Sequence, residues 1–309
     1  MSAPVIVRSN HSDLFSSAAL PALEELFRHQ LSLQPSIREK LADVRTTQRD
    51  IWQASEVGDV QNFIEVPEGT DYTMVRPRQG LNKTLVPKKY GLGFSISEEA
   101  VEDGKFDFIS DMVRKLAESA MESQEQSVID IYNNAFGSAD AWDGLDLCHA
   151  AHTLPSGLTF RNRLSSDADL SPSSLDTMLS DFNSQFLRDS GKIARIQPKI
   201  LLVPEGLKRY AMEVVGSDLR ADTPNNNMNS LKQEGLIVVS SPKLTDTDAW
   251  FLLAAPADLG VKIIKRKGIE TKAAGPDAGF INDSIMYKSR YREIVGITHA
   301  YGVFGTTGA

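Results

Sequence analysis

The segment 56–95 constrains the fold more than any other part of the chain. Val57, Val60, Phe63, Ile64 and Val66 lead into Pro67-Glu68-Gly69, and Tyr72, Met74 and Val75 follow. After Gly80-Leu81-Asn82 come Leu85, Val86, Tyr90, Leu92, Phe94 and Ile96. β-Branched and aromatic residues bounded by turn signals read as strands, so the spacing predicts an extended β-hairpin of about 40 residues. It has too few large apolar residues for a core of its own, and a lone hairpin is marginal in water. It must therefore lie against something else. Its charges switch sign along the way: Glu56, Asp59, Glu65, Glu68 and Asp71 are followed by Arg76, Arg78, Lys83, Lys88 and Lys89. Opposite charges facing across a hairpin, or across a subunit contact, favour one register.

The flanking segments supply helices. Leu20, Leu23, Leu26, Phe27 and Leu31 recur at helical spacing, with Pro21 suited to a first turn and Pro35 barring continuation. Ile37, Leu41 and Val44 hint at a second helix, and Ser97-Glu98-Glu99 reads as a helix start. From Asp107 to about Ala135, Ile109, Met112, Val113, Leu116, Val128, Ile131 and Tyr132 keep to one side, opposite Asp111, Lys115, Glu118, Glu122 and Glu125. Such a helix is ~43 Å long, about twice the usual length. The stretch 96–130 carries ten acids against three bases.

Residues 137–172 are loop-rich, and Ser171-Pro172 opens another helix. An α/β pattern follows: a strand at Lys199–Val203, a helix at Pro204–Val215, and a polar loop around Asn225-Asn226-Asn227. Further strands are predicted at Leu236–Val239, Trp250–Ala254 and Val261–Ile264, with Lys265-Arg266-Lys267 after the last. A β segment at Tyr287–Tyr301 and a plain Gly-Thr-Thr-Gly-Ala tail close the chain.

Composition excludes several classes. Cys148 is the one cysteine, so no internal disulfide can form. No apolar run nears the ~18 residues needed to span a bilayer, and no signal peptide is visible. A formal net charge of −8 disfavours a dedicated DNA-binding module. The expectation is an intracellular protein outside the membrane. The search for chemistry finds no nucleophile elbow, Walker loop or zinc-protease helix, and Gly91-x-Gly93 lacks the third glycine of a dinucleotide fingerprint. Cys148-His149-Ala150-Ala151-His152 is the one ligand-like cluster; with no second cysteine, it reads instead as a loop histidine packed against the long helix. No catalytic, cofactor or metal residues are expected.

The order of elements, with Phe94-Ser95-Ile96-Ser97-Glu98-Glu99, Asp143-Gly144-Leu145-x-Leu147, His152, Asn162, Leu170-Ser171-Pro172-Ser173-Ser174-Leu175, Gln197–Pro204 and Val238–Leu244, resembles tailed-bacteriophage major capsid proteins of the Hong Kong 97-type fold. In look it is most similar to the major head subunits of Mu-like phages. The resemblance implies an α+β fold with an N-terminal arm (1–50), an extended loop reaching a neighbouring subunit (51–95), a peripheral domain with a spine helix (96–194 plus 284–309) and an axial domain (195–283). It implies a non-enzymatic protein that self-assembles as hexamers and pentamers into an icosahedral shell around double-stranded DNA. Expected partners are a separate scaffold protein, since 309 residues leave no room for a long cleaved scaffolding segment, a portal and decoration proteins. Contacts with packaged DNA are expected to be non-specific, and assembly is expected in the host cytoplasm. Arg76, Arg78, Lys83, Lys88 and Lys89 are the candidate intersubunit contacts. The alternatives are an encapsulin-like shell that packages enzymes and an α/β enzyme built on 195–283.

Overall fold

The computed structural model describes residues 19–33, 36–57, 59, 62–72, 74, 79–97, 99, 106–138, 141–218, 229–274 and 284–308. In chain order the elements are α1 (Ala19–Leu33), α2 (Arg38–Leu41), β1 (Asp43–Thr46), β2 (Trp52–Val57), β3 (Gln79–Leu85), β4 (Lys88–Ser97) and α3 (Phe106–Asn133). Next come β5 (His152–Thr153), β6 (Thr159–Phe160), α4 (Pro172–Gln185), β7 (Pro198–Pro204), α5 (Lys208–Gly216) and β8 (Ile237–Ser241). The chain finishes with β9 (Trp250–Ala254), β10 (Val261–Ala274), β11 (Ser284–Ile297) and β12 (Val303–Thr306). These fall into two compact units: 1–36, 87–125 and 265–293 in the first, and 37–86, 126–264 and 294–309 in the second. The segments 51–95, 96–194 and 195–283 each contribute to both.

In the first unit, β4 lies antiparallel beside β11 from Ser97↔Ser284 to Lys88↔Glu293, and β10 is the other neighbour of β11. Tyr90 stacks on Tyr291 and Phe94 packs on Tyr287, with ring centroids 5.2 and 5.5 Å apart. Val113, Leu116 and Ala117 of α3 bury against Phe27 of α1 and Tyr287. Gln30 Nε2 donates to Glu118 at 3.1 Å along that contact.

The second unit is built on the sheet β12-β9-β7-β8, in which β7 runs parallel to β8 and antiparallel to β9. Ile200–Val203 and Trp250–Ala254 are buried along their whole length, as strands covered on both faces require. Helix α4 starts where the sequence places it: Ser171 caps it, its Oγ accepting from Ser174 N, while Ser174 Oγ accepts from Ser171 N. Its Leu175, Met178, Leu179 and Phe182 join Trp250, Phe251 and Phe304 in the core.

Four local expectations change. The hairpin closes between β2 and β3, pairing Trp52 with Leu85, and β4 is not its return strand. Pro87 has no N–H to extend the ladder, and beyond it the aromatics of β4 find partners on β11. Val44 lies in a strand, because α2 ends after four residues and Ala42 is already extended. Lys265-Arg266-Lys267 sits inside β10, which runs to Ala274. The C-terminal tail is no loose end: β12 pairs with β9, and Gly305, Thr306 and Gly308 are buried. The Glu98 start and Asn225-Asn226-Asn227 lie outside the described residues.

Candidate subunit-contact surface

The hairpin is held at its base. Leu85 is buried against Gly296, where a Cβ would come within 2.5 Å of Leu85 Cδ2. Lys83 Nζ donates to the Ala141 carbonyl at 3.5 Å, and Ser190 Oγ to Asp59 Oδ2 at 2.5 Å. Its far end turns at Pro67-Glu68-Gly69-Thr70: Thr70 N and Oγ1 both donate to the Pro67 carbonyl, at 3.2 and 2.7 Å, and Gly69 takes φ +82°, which a residue with a Cβ rarely adopts. Phe63, Ile64, Tyr72 and Met74 are all more than 60% exposed, and Glu65, Glu68 and Asp71 reach solvent between them. Large apolar side chains grouped on a surface mark an interaction site.

The five expected contact cations are not one strip. Arg76 and Arg78 lie outside the described residues. Lys83 is half-buried on β3, whereas Lys88 and Lys89 are exposed on β4, opposite Glu293 and Arg292 of β11. Sequence reasoning missed Arg290 and Arg292, although Lys288, Arg290 and Arg292 recur with the period of a strand. Glu293, next in line, is buried and accepts from Gln124 Nε2 at 3.2 Å.

The Cys148–His152 cluster is structural. His152 packs between Trp142 and Phe160, at 5.4 and 5.2 Å between centroids. Both ring nitrogens are occupied, Nδ1 by Asp143 at 2.7 Å and Nε2 by the Leu147 carbonyl at 3.3 Å. Cys148 is buried close to Gly305, and burial pushes its thiol far above its ordinary value. Among the described residues no group of three or more His, Cys, Asp or Glu could hold a metal ion, and no helix is long and apolar enough to cross a membrane.

A 28-residue helix, a long-stranded antiparallel sheet, a mixed sheet with its own core, and a hairpin whose end exposes apolar residues make up an α+β shell-subunit architecture, the Hong Kong 97-type fold. The chain belongs to the phage capsid protein family, whose model matches residues 82–305. It is a structural protein, a major capsid subunit that self-assembles into the shell of the virion.

Solved structures share the fold. The chain is similar to the capsid structure of cyanophage P-SCSP1u, with 14% identity, 89% of each chain covered and a TM-score of 0.62. It is similar to the capsid of a native GTA particle at 10% identity, with 100% of this chain and 93% of that one covered and a TM-score of 0.57. A virus-like particle from Pyrococcus furiosus gives 10% identity, 94% and 99% coverage and a TM-score of 0.56. No curated protein matches the chain.

Proposed function

We propose that the protein forms the icosahedral head shell around a double-stranded DNA phage genome, as hexamers and pentamers assembled in the host cytoplasm. In this reading 1–50 is an N-terminal arm, 51–95 an extended loop lying on a neighbouring copy, 96–194 plus 284–309 the peripheral domain and 195–283 the axial domain. Arg76, Arg78, Lys83, Lys88 and Lys89 are intersubunit contacts. A separate scaffold protein, a portal and decoration proteins are the partners, contacts with DNA are non-specific, and the subunit performs no catalysis. The observation that carries the reading is the far end of the hairpin. Phe63, Ile64, Tyr72 and Met74 are exposed beyond any core of their own, and a second copy of the chain supplies the missing surface.

The match to the phage capsid family supports this over an encapsulin-like compartment. Size-exclusion chromatography with light scattering of the purified chain tests it. Megadalton shells or hexamer-scale capsomers are expected, and a monomer or small oligomer at all concentrations would contradict it. Electron microscopy of particles from infected cells should then show DNA-filled, tailed heads, where an enzyme-filled compartment would show neither tail nor genome.

A further inference from the structure

Strand β11 alternates buried Tyr287, Ser289, Tyr291 and Glu293 with Lys288, Arg290 and Arg292, which reach solvent. The three cations share one face of the sheet at intervals of roughly 7 Å. Across the register Lys288 meets Gly93, Arg290 meets Gly91 and Arg292 meets Lys89. The two glycines are needed there. A Cβ on Gly93 would lie 2.8 Å from the Tyr287 carbonyl oxygen and 3.0 Å from Lys288 Cβ, and one on Gly91 would lie 3.3 Å from Arg290 Cβ. Strand β4 therefore offers bare backbone beside a row of cations.

At the end of that row, Lys89, Lys267, Arg290, Tyr291 and Arg292 line a recess of about 180 Å3. Among the described residues one carboxylate bonds to it: Glu270 Oε1 accepts from Lys267 Nζ at 2.8 Å, and Glu270 Oε2 from Arg290 Nη2 at 3.4 Å. Four cations against one acid leave an excess of positive charge. Like charges directly opposite on paired strands, as Arg292 and Lys89 are, destabilise a sheet. The Nε atoms of Arg290 and Arg292 are buried without a hydrogen-bond partner. Such a cluster is stabilised by an added anion, and the guanidinium fork fits the paired oxygens of a carboxylate or a phosphate.

We propose that this recess receives the acidic end of the hairpin, residues 62–72, of a second copy of the chain. Glu65, Glu68 and Asp71 are exposed there and have no ion-pair partner among the described residues. No base occurs anywhere in 56–75. Three carboxylates match the excess charge of the recess, and Phe63, Ile64 and Tyr72 beside them supply apolar contact area. The inference rests on the shell reading and names where on the neighbour the hairpin seats: on the face that carries Lys89, and through acids on the hairpin side.

The test reverses charge on each side separately and then on both. Glu65→Lys/Glu68→Lys/Asp71→Lys and Arg290→Glu/Arg292→Glu should each raise the protein concentration needed for shell formation at low salt by tenfold or more. The combined variant should recover most of the loss. Zero-length carbodiimide cross-linking of wild-type shells, mixed from isotopically light and heavy copies, should join Lys89 or Lys267 of one copy to Glu65, Glu68 or Asp71 of another. This second measurement stands even where the sheet variant does not fold. Wild-type shells without such cross-links, or singly reversed variants that assemble at the wild-type concentration, would overturn the proposal. So would a sheet variant that assembles normally but retains less DNA, which would give the recess to nucleic acid. A wild-type chain that forms no shell at all is the failure of the shell reading instead.

Discussion

His152 Nδ1 lies 2.7 Å from Asp143 Oδ2, and the two side chains are 0% and 6% exposed. Burial alone would raise the Asp143 carboxyl, but the hydrogen bond and charge of His152, with the Leu145 and Asp143 backbone N–H groups, hold it below its ordinary value. A carboxyl depressed in the folded state contributes stability that is fully present above its unfolded value and is lost as pH falls through the folded one. Acid titration followed by intrinsic fluorescence should therefore show a loss of stability below the ordinary carboxylate range, and Asp143→Asn should flatten that slope. His152→Ala, which leaves Asp143 Oδ2 buried without its side-chain partner while Oδ1 keeps the Leu145 N–H, should cost about 2 kcal/mol in denaturant unfolding at neutral pH.

The Asn162 side chain ties its own segment to two other backbone segments, 147–149 and Ala300. Its Nδ2 donates to the Leu147 carbonyl at 2.7 Å and to the Ala300 carbonyl at 3.2 Å, and its Oδ1 accepts from His149 N at 2.8 Å. Asn162→Leu strands His149 N and the Ala300 carbonyl in a site closed to water, leaves the Leu147 carbonyl to His152 alone, and should lower the unfolding free energy on the order of 3 kcal/mol. Thermal unfolding of the disassembled subunit reads this directly; an unchanged midpoint would contradict the assignment.

Gly260 passes the chain at His299 with no room for a side chain. A Cβ there would fall 1.6 Å from the His299 carbonyl oxygen, while the Gly260 carbonyl accepts from both Thr298 N and Thr298 Oγ1, at 2.8 and 2.9 Å. Gly260→Ala must displace backbone and not just a side chain. It should yield little folded protein, measured as recovery from the supernatant and as lost near-ultraviolet circular dichroism.

The Cys148 thiol should stay silent in the folded chain. Burial keeps it protonated and out of reach, and the thiolate is the reactive form. A chromogenic disulfide reagent should titrate no thiol in native protein and one thiol per chain after guanidinium unfolding. Rapid reaction in the native state would mean that the loop around Cys148 opens readily.

Local patterns were legible in the chain, and long-range pairing was not. Ile109, Val113, Leu116, Val128 and Tyr132 announce α3, and Ser171-Pro172 announces α4, because caps and helical period act within a few residues. β4 carries the same apolar and aromatic signal whether it returns along the hairpin or pairs with β11 nearly two hundred residues later. Period-two alternation fixes a face, not a partner. Gly305, Thr306 and Gly308 looked like a tail since small residues carry no hydrophobic signal, yet each is buried by its surroundings. For the proposed contact surface, the sign switch in 56–95 singles out the segment whose exposed acids the proposal uses. The basic face of Lys89, Arg290 and Arg292 arises only from the register of β4 on β11.

The central claim is that exposed hairpin ends find their missing surface on other copies of this chain in a closed shell. A cryo-electron-microscopy map of particles formed by the full chain tests it most directly. The account predicts icosahedral shells in which the 52–85 hairpin of each subunit crosses onto a neighbour, with Phe63, Ile64 and Tyr72 buried at that contact. Particles in which this hairpin folds back on its own subunit, or stays solvated with no neighbour within reach, would contradict it.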